Sequence, residues 1–330
     1  MRKLTIKDVA QSAGVSTATV SRVLNGTGYV SEEVRQHVLS TVQSLNYQPN
    51  AIARSLKQDR SRSIGMIVPD MTNSYFMAMA NTLQRRLQSA GYRVLFMDSD
   101  DNPQKEREAL DVLRSNRVDG IVLAGTGGNK EQLRLVQGAG IPLVLVDRSI
   151  AGVGADLVME DNRTPAAEAI HYLLERGHAR IGIVSGPARI STAAERLEGV
   201  VRAYQDAGVP FSSDWVVQGD FTRASGKQAI RTLLSLPEPP TAIFSSNNEM
   251  TFGLYLGMKE LGLETDRIEV ASFGDLEFAS LFRHRLSVIV QNPERIGEAA
   301  ADMLLERLTQ ETKMRENRIF VPQFMARQEG

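Results

Sequence analysis

The first 26 residues constrain this chain more than the 304 that follow. From Thr5 the sequence runs TIKDVAQSAGVSTATVSRVLNG, which reads as two short helices around a tight turn. Thr5 and Asp8 stand at capping-box spacing and open the first helix at Ile6. Ile6, Val9 and Ala10 then fall on one face at helical spacing. Gly14 supplies the turn, because only glycine enters positive φ without a Cβ clash. Ser16 caps a second helix whose Val20, Val23 and Leu24 point inward. A helix–turn–helix of this size at the head of a long chain places its second helix in a DNA major groove. The alternative is an ordinary helical hairpin.

Charge favours the first reading. Up to Arg62 the chain carries nine basic residues against four acidic ones, so this segment is +5. The whole chain is −1, which leaves −6 for the remainder. A basic head on an acidic body is expected when only the head meets phosphates.

Ser31, followed by Glu32 and Glu33, caps a third helix with Val34, Val38, Val42 and Leu45 as its apolar stripe. That helix closes a headpiece over residues 1–48. Tyr47-Gln48-Pro49-Asn50 ends it, since the residue before proline avoids the helical region. Residues 49–62 form a linker whose stretch from Ala51 to Lys57 is helix-prone but only about two turns long. Such a segment either folds only on DNA or remains a plain tether.

These residues, together with YVSEEVRQHVLSTVQSLNYQPNAIARSLK and SIGMIVPD, carry a resemblance to the lactose-repressor (LacI/GalR) family of bacterial transcription regulators. The resemblance implies that Thr17, Ala18 and Arg22 read base edges, with Arg22 able to fork onto guanine. It assigns Thr5, Ser16, Thr19, Ser21, Asn25, Tyr47 and Asn50 to phosphates, contacts that set register without reading sequence. It also implies a hinge helix that enters the minor groove with Leu56 as a wedge and Ala53 beside it.

The body is legible without the family. Past Ser63, β-rich runs at 64–68, 94–97, 121–123, 143–146, 181–184, 242–244 and 268–271 alternate with amphipathic helical stretches. That alternation means βαβ units and parallel sheets covered by helices. The resemblance implies a two-lobed α/β body over 63–330, like periplasmic sugar-binding proteins. Lobe one is expected at 63–161 plus 291–320, and lobe two at 162–290 plus 321–330. Ligands of open α/β sheets sit outside the carboxyl ends of the strands, which here face the cleft between lobes.

Tyr75 and Phe76 open a helix, so they either stack on a sugar ring or pack into the core. Ser74 stands where the family usually shows proline. Asp147 and Arg148 end a strand, and Asp161 with Asn162 lies at a crossover; such groups bind hydroxyls or serve as caps. The resemblance adds Arg196 as a ligand-gripping arginine, Phe221 as a stacking aromatic and Gln291 at the crossover. Two positions depart from the family pattern. Asn248 replaces the usual aspartate, and Gly274 leaves only Asp275 of two polar positions. Loss of that charge, with Arg196 and with Arg148 and Arg189 as further candidates, makes the site less negative, so the expected effector is a sugar, sugar acid or sugar phosphate, the anionic classes being more plausible than in a typical member.

Enzyme readings fail on the residues. There is no cysteine, and the four histidines lack metal-ligand spacing, so no metal site and no cofactor is implied. The loop Gly125-Thr126-Gly127-Gly128-Asn129-Lys130 lacks the third glycine of a dinucleotide fingerprint, and Ser225-Gly226-Lys227 lacks the upstream glycine of a P-loop. No apolar leader or membrane-length run is present, which leads us to expect a cytoplasmic, nucleoid-associated protein. The expected partners are double-stranded operator DNA, a small carbohydrate-like effector and a second copy in a dimer, with no membrane. Two other readings stay open: the same regulator controlled by a protein partner, and an α/β enzyme with a DNA-binding head.

Overall fold

The computed structural model describes residues 4–47, 60–264, 267–276, 286–309 and 314–326. Contacts divide the chain into two compact units, Met1–Ser61 and Arg62–Gly330. Asn50, Ala53 and Leu56, the expected phosphate and minor-groove residues of the linker, lie outside the described residues.

The first unit is a three-helix headpiece: α1 (Ile6–Ser12), α2 (Thr17–Asn25) and α3 (Glu32–Ser44). The Asp8 carboxylate accepts both the backbone N–H and the hydroxyl of Thr5 at 2.7 Å, which fixes the start of α1. Gly14 turns the chain at φ +63°, and Ser16 Oγ accepts the Thr19 N–H at 3.1 Å to open α2. Val9, Ala10, Ala13, Val20, Val23, Val38 and Tyr47 form the buried core that holds the helices together.

The second unit carries two six-stranded sheets. Sheet one contains β1 (Ser63–Val68), β2 (Arg93–Asp98), β3 (Gly120–Leu123), β4 (Leu143–Val146), β5 (Asp156–Glu160) and β11 (Asn317–Phe320). Its order is β11-β5-β4-β3-β1-β2, and every pairing is parallel. Sheet two contains β6 (Ile181–Ser185), β7 (Val216–Gln218), β8 (Ala242–Ser245), β9 (Glu269–Phe273), β10 (Leu286–Val290) and β12 (Gln323–Met325). Its order is β12-β10-β9-β8-β6-β7, parallel except for the edge pair β10–β12.

Helices cover both faces of each sheet, as parallel sheets require. On sheet one, α4 (Ser74–Ser89) and α11 (Pro293–Thr309) bury one core with Met66, Met79, Leu83 and Leu304, while α5 (Pro103–Ser115) and α6 (Lys130–Gly138) bury the other with Leu110, Leu113 and Ile121. On sheet two, α7 (Arg163–Glu175) and α8 (Ser191–Asp206) enclose Tyr204, Phe244 and Phe273, and α9 (Arg223–Leu234) with α10 (Asn248–Glu260) encloses Ile230, Ile243 and Leu254. The chain passes between the sheets three times, after β5, after β10 and after β11. No helix among the described residues is long and apolar enough to cross a membrane.

Candidate functional site

On the headpiece, Thr17, Ala18 and Arg22 are exposed on the face of α2 opposite the buried Val20 and Val23. The stem of Arg22 runs against Gly28, where an added Cβ would lie 3.5 Å from Arg22 Cδ. Several expected phosphate donors are tied to one another: Ser16 Oγ lies 2.9 Å from Thr19 Oγ1, and Asn25 Nδ2 donates to Ser21 Oγ at 3.1 Å. Tyr47 packs into the headpiece core, with 9 % of its surface exposed. Tyr29, which the sequence reading passed over, is the opposite case, an aromatic that is 92 % exposed.

In the body, the carboxyl ends of strands from both sheets converge on a cavity of about 330 Å³. Of the expected effector residues, Tyr75, Phe76, Asp147, Arg148, Arg196, Phe221, Asn248 and Gln291 line it. Asp161 and Asp275 do not. Asp161 Oδ1 instead accepts the N–H groups of Arg163 and Thr164 at 2.9 and 3.2 Å, so it caps α7. Asp275 is exposed beyond the turn at Gly274, whose φ is +93°. Gly274 also leaves room for Gln291; a Cβ there would stand 2.9 Å from Gln291 Oε1.

Lobe one supplies the aromatic wall. Asn73 Oδ1 caps α4 through the Tyr75 N–H at 3.0 Å, and Tyr75 meets Phe76 edge to face at 5.2 Å. Phe76 is both a core residue and a lining residue, so the two readings of it are compatible. Tyr75 donates to Asp147 Oδ1 at 2.9 Å. Burial pushes the Tyr75 hydroxyl well above its usual value, and the Asp147 charge adds to that, so it remains a donor. Asp147 holds a left-handed φ of +63° directly after β4, a strained conformation that aims its carboxylate at Tyr75.

Arg148 is 3 % exposed and bound to Asp101 by two bonds of 2.6 and 3.1 Å. Burial opposes its charge, but the Asp101 and Asp147 carboxylates outweigh that and hold its pKa above the usual value. Its guanidinium lies 6.0 Å from the Phe76 ring centre and 5.6 Å from that of Phe221. Phe221 itself takes a left-handed φ of +69° and lays its ring on Gly186, where a Cβ would come within 2.2 Å. Arg196 is buried over the face of Phe273 at 3.6 Å, gives Nε to Asn162 at 2.8 Å and donates Nη1 to the Ser246 carbonyl. Burial lowers its pKa, an effect that Asp147 only partly offsets.

The lobes touch through side chains distant in sequence. Asn73 Nδ2 donates to Asn248 Oδ1 at 3.3 Å, and Asn248 Nδ2 returns a bond to Asn73 Oδ1 at 3.1 Å. Arg189 donates to the Asp101 carbonyl at 2.8 Å, and the Ser149 N–H to Ser191 Oγ at 3.0 Å. Gln291 donates to Glu160 at 2.7 Å, as does the Asn292 N–H, which fixes the second crossing to the first.

Sequence reasoning missed Asp70, Asn73, Asp101, Thr192, Asp220 and Asn247 among the lining residues. The signal was available for Asp70, Asp101 and Asn247, because each follows the carboxyl end of a strand expected from sequence.

Comparison with known proteins is consistent along the chain. Residues 61–328 match the family of periplasmic binding proteins and sugar binding domain of LacI family, and residues 5–50 match bacterial regulatory proteins, lacI family. The HTH-type transcriptional repressor PurR of Proteus mirabilis (strain HI4320) is 36 % identical over 307 residues, 92 % of this chain and 90 % of that protein. A transcriptional regulator CelR–cellobiose complex shares 26 % identity with a TM-score of 0.74, covering 99 % of this chain and 100 % of that one. The lac repressor dimer bound to operator and the anti-inducer ONPF has a TM-score of 0.82 at 24 % identity, covering 99 % of this chain and 98 % of that one, a likeness of fold.

Proposed function

The chain belongs to the lacI family of bacterial regulatory proteins and is a DNA-binding transcriptional repressor, and from that premise we propose that a small carbohydrate-type effector in the interlobe cleft controls it. The observation that carries this reading is the cleft itself. Aromatic edges from Phe76 and Phe221 stand beside Asp147, Arg196, Asn247 and Thr192, which offer the mixed donors and acceptors that ring hydroxyls need. Its volume of about 330 Å³ is at the small end of ligand pockets, which run from roughly 300 to 1,000 Å³, and suits one sugar ring.

The exposed face of α2 supports the DNA half of the reading. Thr17, Ala18 and Arg22 read base edges while Thr5, Ser16, Thr19, Ser21, Asn25 and Tyr47 position the backbone. One headpiece offers few base contacts, so two copies bind as a symmetric dimer on a palindromic operator in the cytoplasm. The effector favours one relative orientation of the lobes and thereby alters operator affinity.

The test has two steps. Random double-stranded DNA is selected on the full chain to find the operator, and operator affinity is then titrated against a panel of sugars, sugar acids and sugar phosphates. A palindromic site should emerge, and one class of sugar should shift affinity about 5- to 150-fold, the range of ordinary allosteric coupling. Intact operator binding with no response across the panel would remove the carbohydrate part of the reading.

A further inference from the structure

We propose that Asp101 sets the charge preference of the cleft: by neutralising Arg148 it makes the site select an uncharged polyol over the matching sugar acid or sugar phosphate. The proposal rests on the carbohydrate reading above and narrows it. It also runs against the expectation from sequence, in which Asn248 together with Arg148, Arg189 and Arg196 makes an anionic sugar more plausible.

A carboxylate or phosphate is gripped best by a guanidinium that presents two parallel N–H donors. Each of the three arginines of the cleft already has at least one terminal nitrogen bonded within the protein. Arg148 gives both terminal nitrogens to Asp101, and its Nε stands 3.4 Å from Asp147 Oδ2. Arg196 turns Nε to Asn162 and Nη1 to the Ser246 carbonyl, with Phe273 against its face. Arg189 lies exposed at the mouth and bonds the Asp101 carbonyl. Asp101 is thus the common partner of two of the three.

The rest of the lining is net negative, since four further carboxylates stand against the charges of Arg189 and Arg196, with Asp100 among them paired to a lysine, Lys105, at 2.8 Å. Asp100 and Asp220 are exposed at the rim, Asp70 is half-buried, and Asp147 is buried at the floor. An entering anion meets these carboxylates and leaves water to do so, a double penalty in a site of low dielectric. A hydroxyl donates to the same carboxylates without that penalty. The backbone is built around this arrangement: Asp100 and Asp101 both hold left-handed φ values, +51° and +47°, and the Asp101 N–H is tied to the Pro69 carbonyl at 3.2 Å.

The experiment is calorimetric melting of the full chain, wild type and Asp101→Asn, with ribose, glucose, ribose 5-phosphate, glucose 6-phosphate and glucuronate at matched ionic strength. In the wild type a neutral sugar should raise the melting temperature while its anionic counterpart does not. In Asp101→Asn the Arg148 fork is released, and the anionic member should gain at least tenfold in affinity relative to its neutral parent. An anionic sugar that stabilises the wild type more than its parent overturns the proposal, as does a folded Asn variant that keeps the wild-type ranking. If the variant does not fold, the wild-type ranking decides. If no sugar shifts the wild type, the carbohydrate reading fails by itself, and inorganic phosphate becomes the probe. Selective stabilisation of Asp101→Asn by phosphate then supports the role of Asp101. Stabilisation of the wild type by phosphate beyond chloride of equal ionic strength overturns it.

Discussion

Glu160, Asp161 and Asn162 are neighbours at the first crossing between sheets, and each does something different. Asp161 is the cap of α7. Asn162, the residue expected to cap, instead bonds the Glu160 carbonyl, Glu195 and Arg196. Glu160 accepts from Gln291 and Asn292 and is 3 % exposed. Burial raises its carboxyl above the ordinary 4.5, and those two bonds only partly offset the rise. Between that ordinary value and the raised one the folded chain therefore binds more protons than the unfolded chain. The contribution to stability is present at lower pH and is lost as pH climbs through this window. Against Glu160→Gln, which has no such titration, the wild-type advantage in melting temperature should fall with rising pH and then level off. An advantage that stays constant or grows would contradict the shift. Sequence could place all three residues at a strand end, but which oxygen meets which N–H depends on backbone angles that composition does not encode.

Helix pairs in both lobes approach through glycine. Gly297 of α11 sits so close to α4 that an added Cβ would stand 2.3 Å from the Met79 carbonyl oxygen, and Gly199 of α8 meets the Arg163 carbonyl at the same distance. Backbone cannot yield as a flexible side chain does, so Gly297→Ala must push α4 and α11 apart. The expected loss is about 1–3 kcal/mol, the usual range for overpacking, read as a lower urea midpoint with unchanged slope. An unaffected midpoint would mean that the two helices separate freely. The seven strands expected from β-rich runs all form; β2 is an edge strand with no fully buried residue, while the other six are buried and nearly continuous apolar segments. β10 carries the same signal. By contrast β5 begins and ends in carboxylates, which become tolerable only when Arg307 and Gln291 reach them from the far end of the sequence. β7, with three residues, and β11, with alternating exposure, become strands through their pairing partners.

At the scale of the molecule, the paired amides of Asn73 and Asn248 join the lobes across 175 positions of sequence. No local pattern announces such a pair, although Asn248 was visible as a departure from the family aspartate. Asn73→Asp keeps the cap on α4 and the bond from Asn248, but removes the donor that crosses the other way. One net hydrogen bond is worth about 0.5–1.5 kcal/mol. Affinity for an effector in the cleft should therefore fall about two- to tenfold if closure of the lobes accompanies binding, as measured by calorimetric titration. Equal or tighter binding would show that the amide pair does not couple to the effector. The three passages of the chain between sheets also set a timetable for synthesis. Sheet one cannot gain its edge strand β11 or its covering helix α11 until sheet two has been translated almost entirely. At roughly 5–20 residues per second, the apolar face that Met66, Met79 and Leu83 share with α11 stays open on the ribosome for on the order of ten to forty-five seconds. Until then that face is the kind of transiently exposed apolar surface that invites aggregation, and sheet one is completed only after most of sheet two has been made.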